Sequence, residues 1–172
     1  KGCLVHDIGI LVHIPLKIRN KPDKLTKDEM DIVKQHPEIA FEFLRKIRTY
    51  NVVSAHVAYQ HHERDNGGGY PRALKSNEIH EYGAIAAVAD VFDAITNNKI
   101  YRLRVLPDKA REFLSATQGS FFAPYVVEAF LSKIPPYPIG TGVVLTNDFQ
   151  GIVARQNDIL NRPVIRILND GE

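Results

Sequence analysis

The residues able to do chemistry fall in a few short clusters. His6 and Asp7 close the first apolar segment, just before Gly9, and His36 stands at a junction before Pro37. His61, His62 and Glu63 end an apolar stretch immediately ahead of Gly67-Gly68-Gly69 and Pro71. Asp90 and Asp93 lie three apart in a nearly all-apolar run, and so on one face of a helix. Burying two like charges without partners is costly and forces proton uptake, so folding alone gives no reason to place them there. A cation removes that cost. Imidazole and carboxylate without thiolate suit iron, manganese or zinc, with octahedral ions favoured where oxygen ligands are numerous. Ligands on separate helices could hold two or more ions side by side. Each cluster alone has a plainer reading: a helix-end histidine, a cap, an exposed terminus, or, for Asp93, a hydrogen bond to a neighbouring backbone amide. Only the combination favours metal.

The elements that must position these residues are mostly helical. Thr26-Lys27-Asp28-Glu29 is a capping box, Thr26 being the N-cap, and the helix it opens should reach about Gln35 before Pro37 disturbs it. Ala40, Phe43, Leu44 and Ile47 recur at helical spacing, and another helix is expected over Val52 to His62. The run from Tyr82 to Ile95 is apolar nearly all round and belongs inside the protein. Two more helices are expected after Pro107 and Pro124, the second with Val127, Phe130, Leu131 and Ile134 in register. Beyond Pro135, Pro136 and Pro138, the segments Gly142 to Leu145, Gly151 to Arg155 and Val164 to Leu168 read as short strands. The expected architecture is mainly α, a helical unit over 1–136 with a small β-rich extension over 137–172 packed on it.

Composition sets the outer limits. The chain has 172 residues, 44% hydrophobic and 24% charged, which argues against disorder and low complexity. Twenty-two Lys and Arg against 20 Asp and Glu leave a formal charge of +2, giving no electrostatic case for coating long nucleic acid or an anionic membrane. No apolar run is long enough to span a bilayer. Cys3 is the only cysteine, which excludes an intrachain disulfide and fits a reducing cytosol. Five residues precede the first motif, so the chain reads as a piece of something longer that lacks a preceding helix.

His6-Asp7-Ile8-Gly9, Asn20-Lys21-Pro22 and His36-Pro37-Glu38, in that order, resemble the opening of HD-GYP domains. His61-His62-Glu63-Arg64 followed by Asn66-Gly67 and Gly69-Tyr70-Pro71 is similar to their naming signature. Val88-Ala89-Asp90-Val91-Phe92-Asp93-Ala94 is similar to the helix carrying their last metal ligand. The resemblance runs from about Gly2 to about Tyr101. It implies an HD-superfamily helical bundle with two or three divalent ions, iron or manganese, and bacterial cytoplasmic hydrolysis of cyclic di-GMP to the linear dinucleotide pGpG or GMP. It implies His6, Asp7, His36, His61, His62 and Asp90 as ligands, Asp7 bridging two ions and orienting the nucleophilic hydroxide. Asp93 matches no family ligand and takes a supporting role. Tyr70 and Pro71 would lie near the substrate, and Lys99 and Arg102 match cationic positions that contact its phosphates.

The chemistry fits these residue types. A phosphodiester repels hydroxide, and paired metals supply both charge neutralisation and a pre-formed nucleophile. The sequence departs from the family at three places. Ile10 stands where a lysine usually follows His-Asp-Ile-Gly, which bears on turnover more than on metal binding. Asp65 takes a position that is often aromatic. Ligands the family draws from a helix before His6 have no counterpart here. His13, His56 and His80 match no ligand and read as structural or solvent-facing. Two rivals remain at this stage: a degenerate cyclic di-GMP receptor or diguanylate-cyclase interaction module, and an enzyme for another cyclic or linear dinucleotide. The resemblance also implies an upstream sensor or receiver domain, and a homodimer would suit a regulated output domain.

Overall fold

The computed structural model describes residues 1–97 and 105–168. Lys99 and Arg102 lie outside the described residues. The N-terminal part is helical: a single 3-10 turn at Gly2–Leu4, then α1 (Ile8–His13), α2 (Leu16–Arg19), α3 (Lys27–Val33), α4 (His36–Leu44) and α5 (Val52–Gln60). After a long loop come α6 (Glu81–Thr96), α7 (Pro107–Thr117) and α8 (Pro124–Leu131). The capping box forms as read: Thr26 Oγ1 accepts from the Glu29 amide at 3.3 Å, and Glu29 Oε2 accepts from the Thr26 amide at 2.7 Å. Asn51 caps α5 by accepting from the Ser54 amide at 2.9 Å. His80 caps α6 by accepting from the Tyr82 amide, which gives that histidine a structural role.

Pro37 does not break a helix. It sits in the first turn of α4, where its missing N–H is no loss, so α3 stops at Val33 and a new helix starts at His36. The expected apolar stripe is therefore shorter: Ala40 and Leu44 are buried, Phe43 is largely exposed, and Ile47 lies beyond the helix end. Ile134 likewise falls past the end of α8.

Helix α5 packs between α4 and α6, while α1 lies along α4. One core joins α4 and α5 through Ala40, Leu44, Ala55 and Ala58. A second gathers Ala84, Ala87 and Val88 of α6 against Leu114, Phe122, Val126 and Val127. Small residues let the helices approach closely, which brings the start of α4 and the end of α5, each carrying an imidazole, to one place. The chain ends in an antiparallel sheet, β1 (Gly142–Val144), β2 (Gln150–Arg155) and β3 (Val164–Ile167), in the order β1-β2-β3. Val143 pairs with Gly151 and Ile152 with Arg166, and Val153 is buried beneath the sheet. A hydrogen bond from Gln156 Nε2 to the Tyr137 carbonyl at 2.7 Å closes β2 onto the segment leading in.

Candidate metal centre

Each imidazole is aimed by its own backbone. His6 Nδ1 donates to the Cys3 carbonyl at 2.6 Å, His36 Nδ1 to Val33 at 2.7 Å and His61 Nδ1 to Ala58 at 2.8 Å. All three carbonyls stand three residues before the ring. A carbonyl only accepts, so one proton is held on Nδ1 and Nε2 faces inward.

Asp7 is the N-cap of α1, and its two oxygens face different partners. Oδ1 lies 3.2 Å from His36 Nε2 and 3.4 Å from His61 Nε2. Oδ2 lies 3.5 Å from His6 Nε2, which in turn is 3.6 Å from Asp90 Oδ1. Ligand atoms of Asp7, His36, His61 and His62 all fall within 4.8 Å of one another. His36 and His61 bring their Nε2 atoms to 3.3 Å. With both Nδ1 protons spent on carbonyls, these nitrogens and Asp7 Oδ1 are three acceptors facing each other. Such a set requires added protons or a cation, and its spacing suits the cation. The donor set is nitrogen and oxygen, as a divalent transition ion wants.

Burial and charge tune the groups apart. Burial raises the Asp7 carboxyl, but the close imidazoles of His36 and His61 and the charge of His6 outweigh it and hold the group well below the usual carboxylate range. Asp90 is also held low, its burial outweighed chiefly by the hydrogen bond from His6. The Asp90 carboxylate lifts His6 to about 9 against the pull of burial, with the Cys3 carbonyl and Asp7 adding to the rise. Burial, with His61 and His36 alongside, pushes His62 down to about 2, which leaves it neutral and able to ligate. The metal-free chain therefore carries a second imidazole proton on His6 below about pH 9, which an ion bound at that nitrogen would have to displace. Manganese titrations at pH 7 in two buffers of different ionisation enthalpy should show about one proton released per chain. Apparent affinity should then rise with pH between 6 and 8 and flatten above about 9; uptake without proton release would contradict this assignment.

The surrounding groups account for the rest of the sequence motif. Gly9 lets α1 touch α4, since a Cβ there would strike the His36 carbonyl. The Tyr70 ring stacks on His62 at 4.6 Å and 25°. Its amide donates to the His62 carbonyl at 3.2 Å, and Pro71 follows through a cis peptide. Arg64 Nη1 donates to the Glu63 carbonyl at 2.7 Å and to that of His61 at 3.1 Å, and its guanidinium lies over the Phe122 ring.

One expectation changes. Asp93 does not share a buried face with Asp90: it is exposed and accepts from Asn97 Nδ2 at 2.7 Å, while Val91 and Phe92 beside it pack on the core. His56 packs on Phe41 and His13 is exposed at the end of α1, both away from the cluster.

A family model described as "HD domain" matches residues 3–126. The chain belongs to the HD domain family. The HD-GYP resemblance stands on the same ground as its relatives. A "Cyclic di-GMP phosphodiesterase" of Thermotoga maritima is 41% identical over 128 residues, covering 74% of this chain and 34% of that protein. A "3'3'-cGAMP-specific phosphodiesterase 2" of Vibrio cholerae is 39% identical over 128 residues, 74% of this chain and 24% of its own length. The chain thus spans about a third or less of these relatives. The fold is similar to that of a solved HDG"Y"P protein from Bdellovibrio bacteriovorus, with a TM-score of 0.58 at 20% identity over 74% of this chain and 40% of that one. Among the described residues no helix is long and apolar enough to cross a membrane.

Proposed function

We propose that this HD domain is a metal-dependent phosphodiesterase that hydrolyses cyclic di-GMP. The observation that carries the reading is the division of Asp7, one oxygen toward His36 and His61 and the other toward His6. A single carboxylate placed this way is fitted to join two ions, with His36, His61 and His62 on one side and His6 and Asp90 on the other. When bound, such a pair supplies charge neutralisation for the phosphodiester and a nucleophilic water of lowered pKa. Iron or manganese fits the mixed nitrogen and oxygen ligands. Asp7 orients that nucleophile, and the carbonyls of Cys3, Val33 and Ala58 keep the imidazoles from turning. Tyr70 and Pro71 border the substrate, and Lys99 and Arg102 hold its phosphates. The products are the linear dinucleotide pGpG, GMP or both. Residues 1–136 form the unit that does this, with 137–172 an extension on it. The setting is the bacterial cytoplasm, under control of a sensor or receiver domain.

A second reading rests on Ile10, which lines the same cleft as His6 and Asp7 with an aliphatic side chain. Ile10 delivers no cation there, as a receptor or a diguanylate-cyclase interaction module would tolerate. Manganese-loaded protein incubated with cyclic di-GMP should yield linear products by chromatography, faster for Ile10→Lys. Fully loaded protein that leaves the dinucleotide intact would refute the enzyme. Activity appearing only with Ile10→Lys would favour the receptor.

A further inference from the structure

Glu63 is a buried acid for which the metal centre has no use. Its side chain is only 1% exposed. What it meets is backbone: Oε1 accepts from the Arg72 amide at 2.8 Å and Oε2 from the Leu74 amide at 2.9 Å. Two oxygens satisfied by two N–H groups explain how a carboxylate survives there. Between those amides sits Ala73 at φ 54°, a left-handed conformation that a β-carbon disfavours. The loop thus holds a strained residue gripped on both sides by one side chain.

The same loop carries Tyr70, two residues before Arg72, with its ring stacked on His62. Gly69 closes the arrangement, because a Cβ there would come within 2.5 Å of the Arg64 amide and of Glu63 Cα. Glu63 directly follows His62 in sequence. A single residue therefore ties the far limb of the loop to the stretch bearing two imidazoles.

We propose that Glu63 is a positioning residue that locks the 64–74 loop in place, so that Tyr70 is held on His62 before substrate arrives. What the loop receives rests on the phosphodiesterase reading; the anchoring does not. A loop fixed beforehand loses less freedom on binding, so its release appears as weaker substrate affinity rather than as slower chemistry.

Glu63→Gln is the test, because it keeps the volume but turns one acceptor into a donor facing an N–H. Arg72 and Lys75, both exposed, are trypsin sites within and just past the loop. In manganese-loaded protein, cleavage after either residue, mapped by mass spectrometry, should speed up about tenfold as the loop opens more often. The KM for cyclic di-GMP should rise about tenfold with kcat changed less than about twofold, at unchanged manganese content. Adding Ala73→Gly relieves the left-handed strain and should return cleavage toward the wild-type rate. Unchanged cleavage in Glu63→Gln would overturn the anchor, and an opened loop with unchanged KM would overturn its bearing on substrate. If the loaded wild-type chain leaves cyclic di-GMP intact, the enzyme reading fails separately. The proteolysis and the calorimetric affinity for cyclic di-GMP then decide this proposal.

Discussion

Asp7→Asn should leave a folded chain whose hydrolysis of cyclic di-GMP falls about a thousandfold or more, equivalent to about 4 kcal/mol of lost transition-state stabilisation. The argument is geometric. Oδ1 stands 3.2 Å and 3.4 Å from two Nε2 atoms, while Oδ2 stands 3.5 Å from a third. An asparagine of the same shape turns one of these oxygens into an NH2, which donates and cannot ligate. Whichever oxygen is lost, one group of imidazoles loses its shared carboxylate. Bound manganese, measured by elemental analysis, should fall by at least one ion per chain. The metal-free fold should not suffer, because an amide NH2 can donate to an imidazole lone pair that a carboxylate leaves facing an acceptor. Asp93→Asn is the fitting comparison, since Asp93 is exposed and bonded to Asn97. Metal and turnover should stay at wild-type levels there. Full metal content and full turnover in Asp7→Asn would remove Asp7 from the centre.

Much of this centre was legible in the sequence because residue types out of keeping with their surroundings point to a partner. Asp90 in an alanine-rich helix is such a residue, and it does turn toward His6. Asp93 carried the same signal and misled, because periodicity gives a helical face but not how much of that face its neighbours cover. Phe43 and Ile47 failed for a related reason, since α4 ends at Leu44 and the stripe ends with it. The capping box at Thr26 was readable because it needs only local bonds. Pro37 was read as a disturbance although proline is at home in a first turn. Glu63 was hidden altogether. Its burial depends on the path of a loop returning from nine and eleven residues away, which no periodicity encodes. The aiming carbonyls of Cys3, Val33 and Ala58 lay at a fixed offset before each ring, yet that spacing gains meaning only once all three rings converge.

Gly9→Ala should weaken manganese binding by tenfold or more and destabilise the fold by about 1–3 kcal/mol, although it touches no ligand. A β-carbon at position 9 would run into the His36 carbonyl oxygen, with the carbonyl carbon at 2.9 Å and the Ala40 amide at 3.1 Å. These obstacles are backbone atoms of α4 and cannot rotate aside. Helix α1 must therefore lift off α4. Asp7, as the N-cap of α1, travels with it, while His36 stays at the start of α4. The distances that open are the ones the centre depends on, from Asp7 Oδ1 to His36 and His61. The close approach of two helices, rather than any freedom of the glycine backbone, explains why a glycine follows the His-Asp pair. Thermal melting and manganese titration should thus change together. Gly142→Ala separates this from a general penalty, because a Cβ there meets nothing within 4 Å and should alter neither quantity. If Gly9→Ala lowered the melting temperature but left manganese affinity intact, α1 would be able to tilt without carrying Asp7 away. The contact between α1 and α4 would then not be what sets the position of the Asp7 carboxylate.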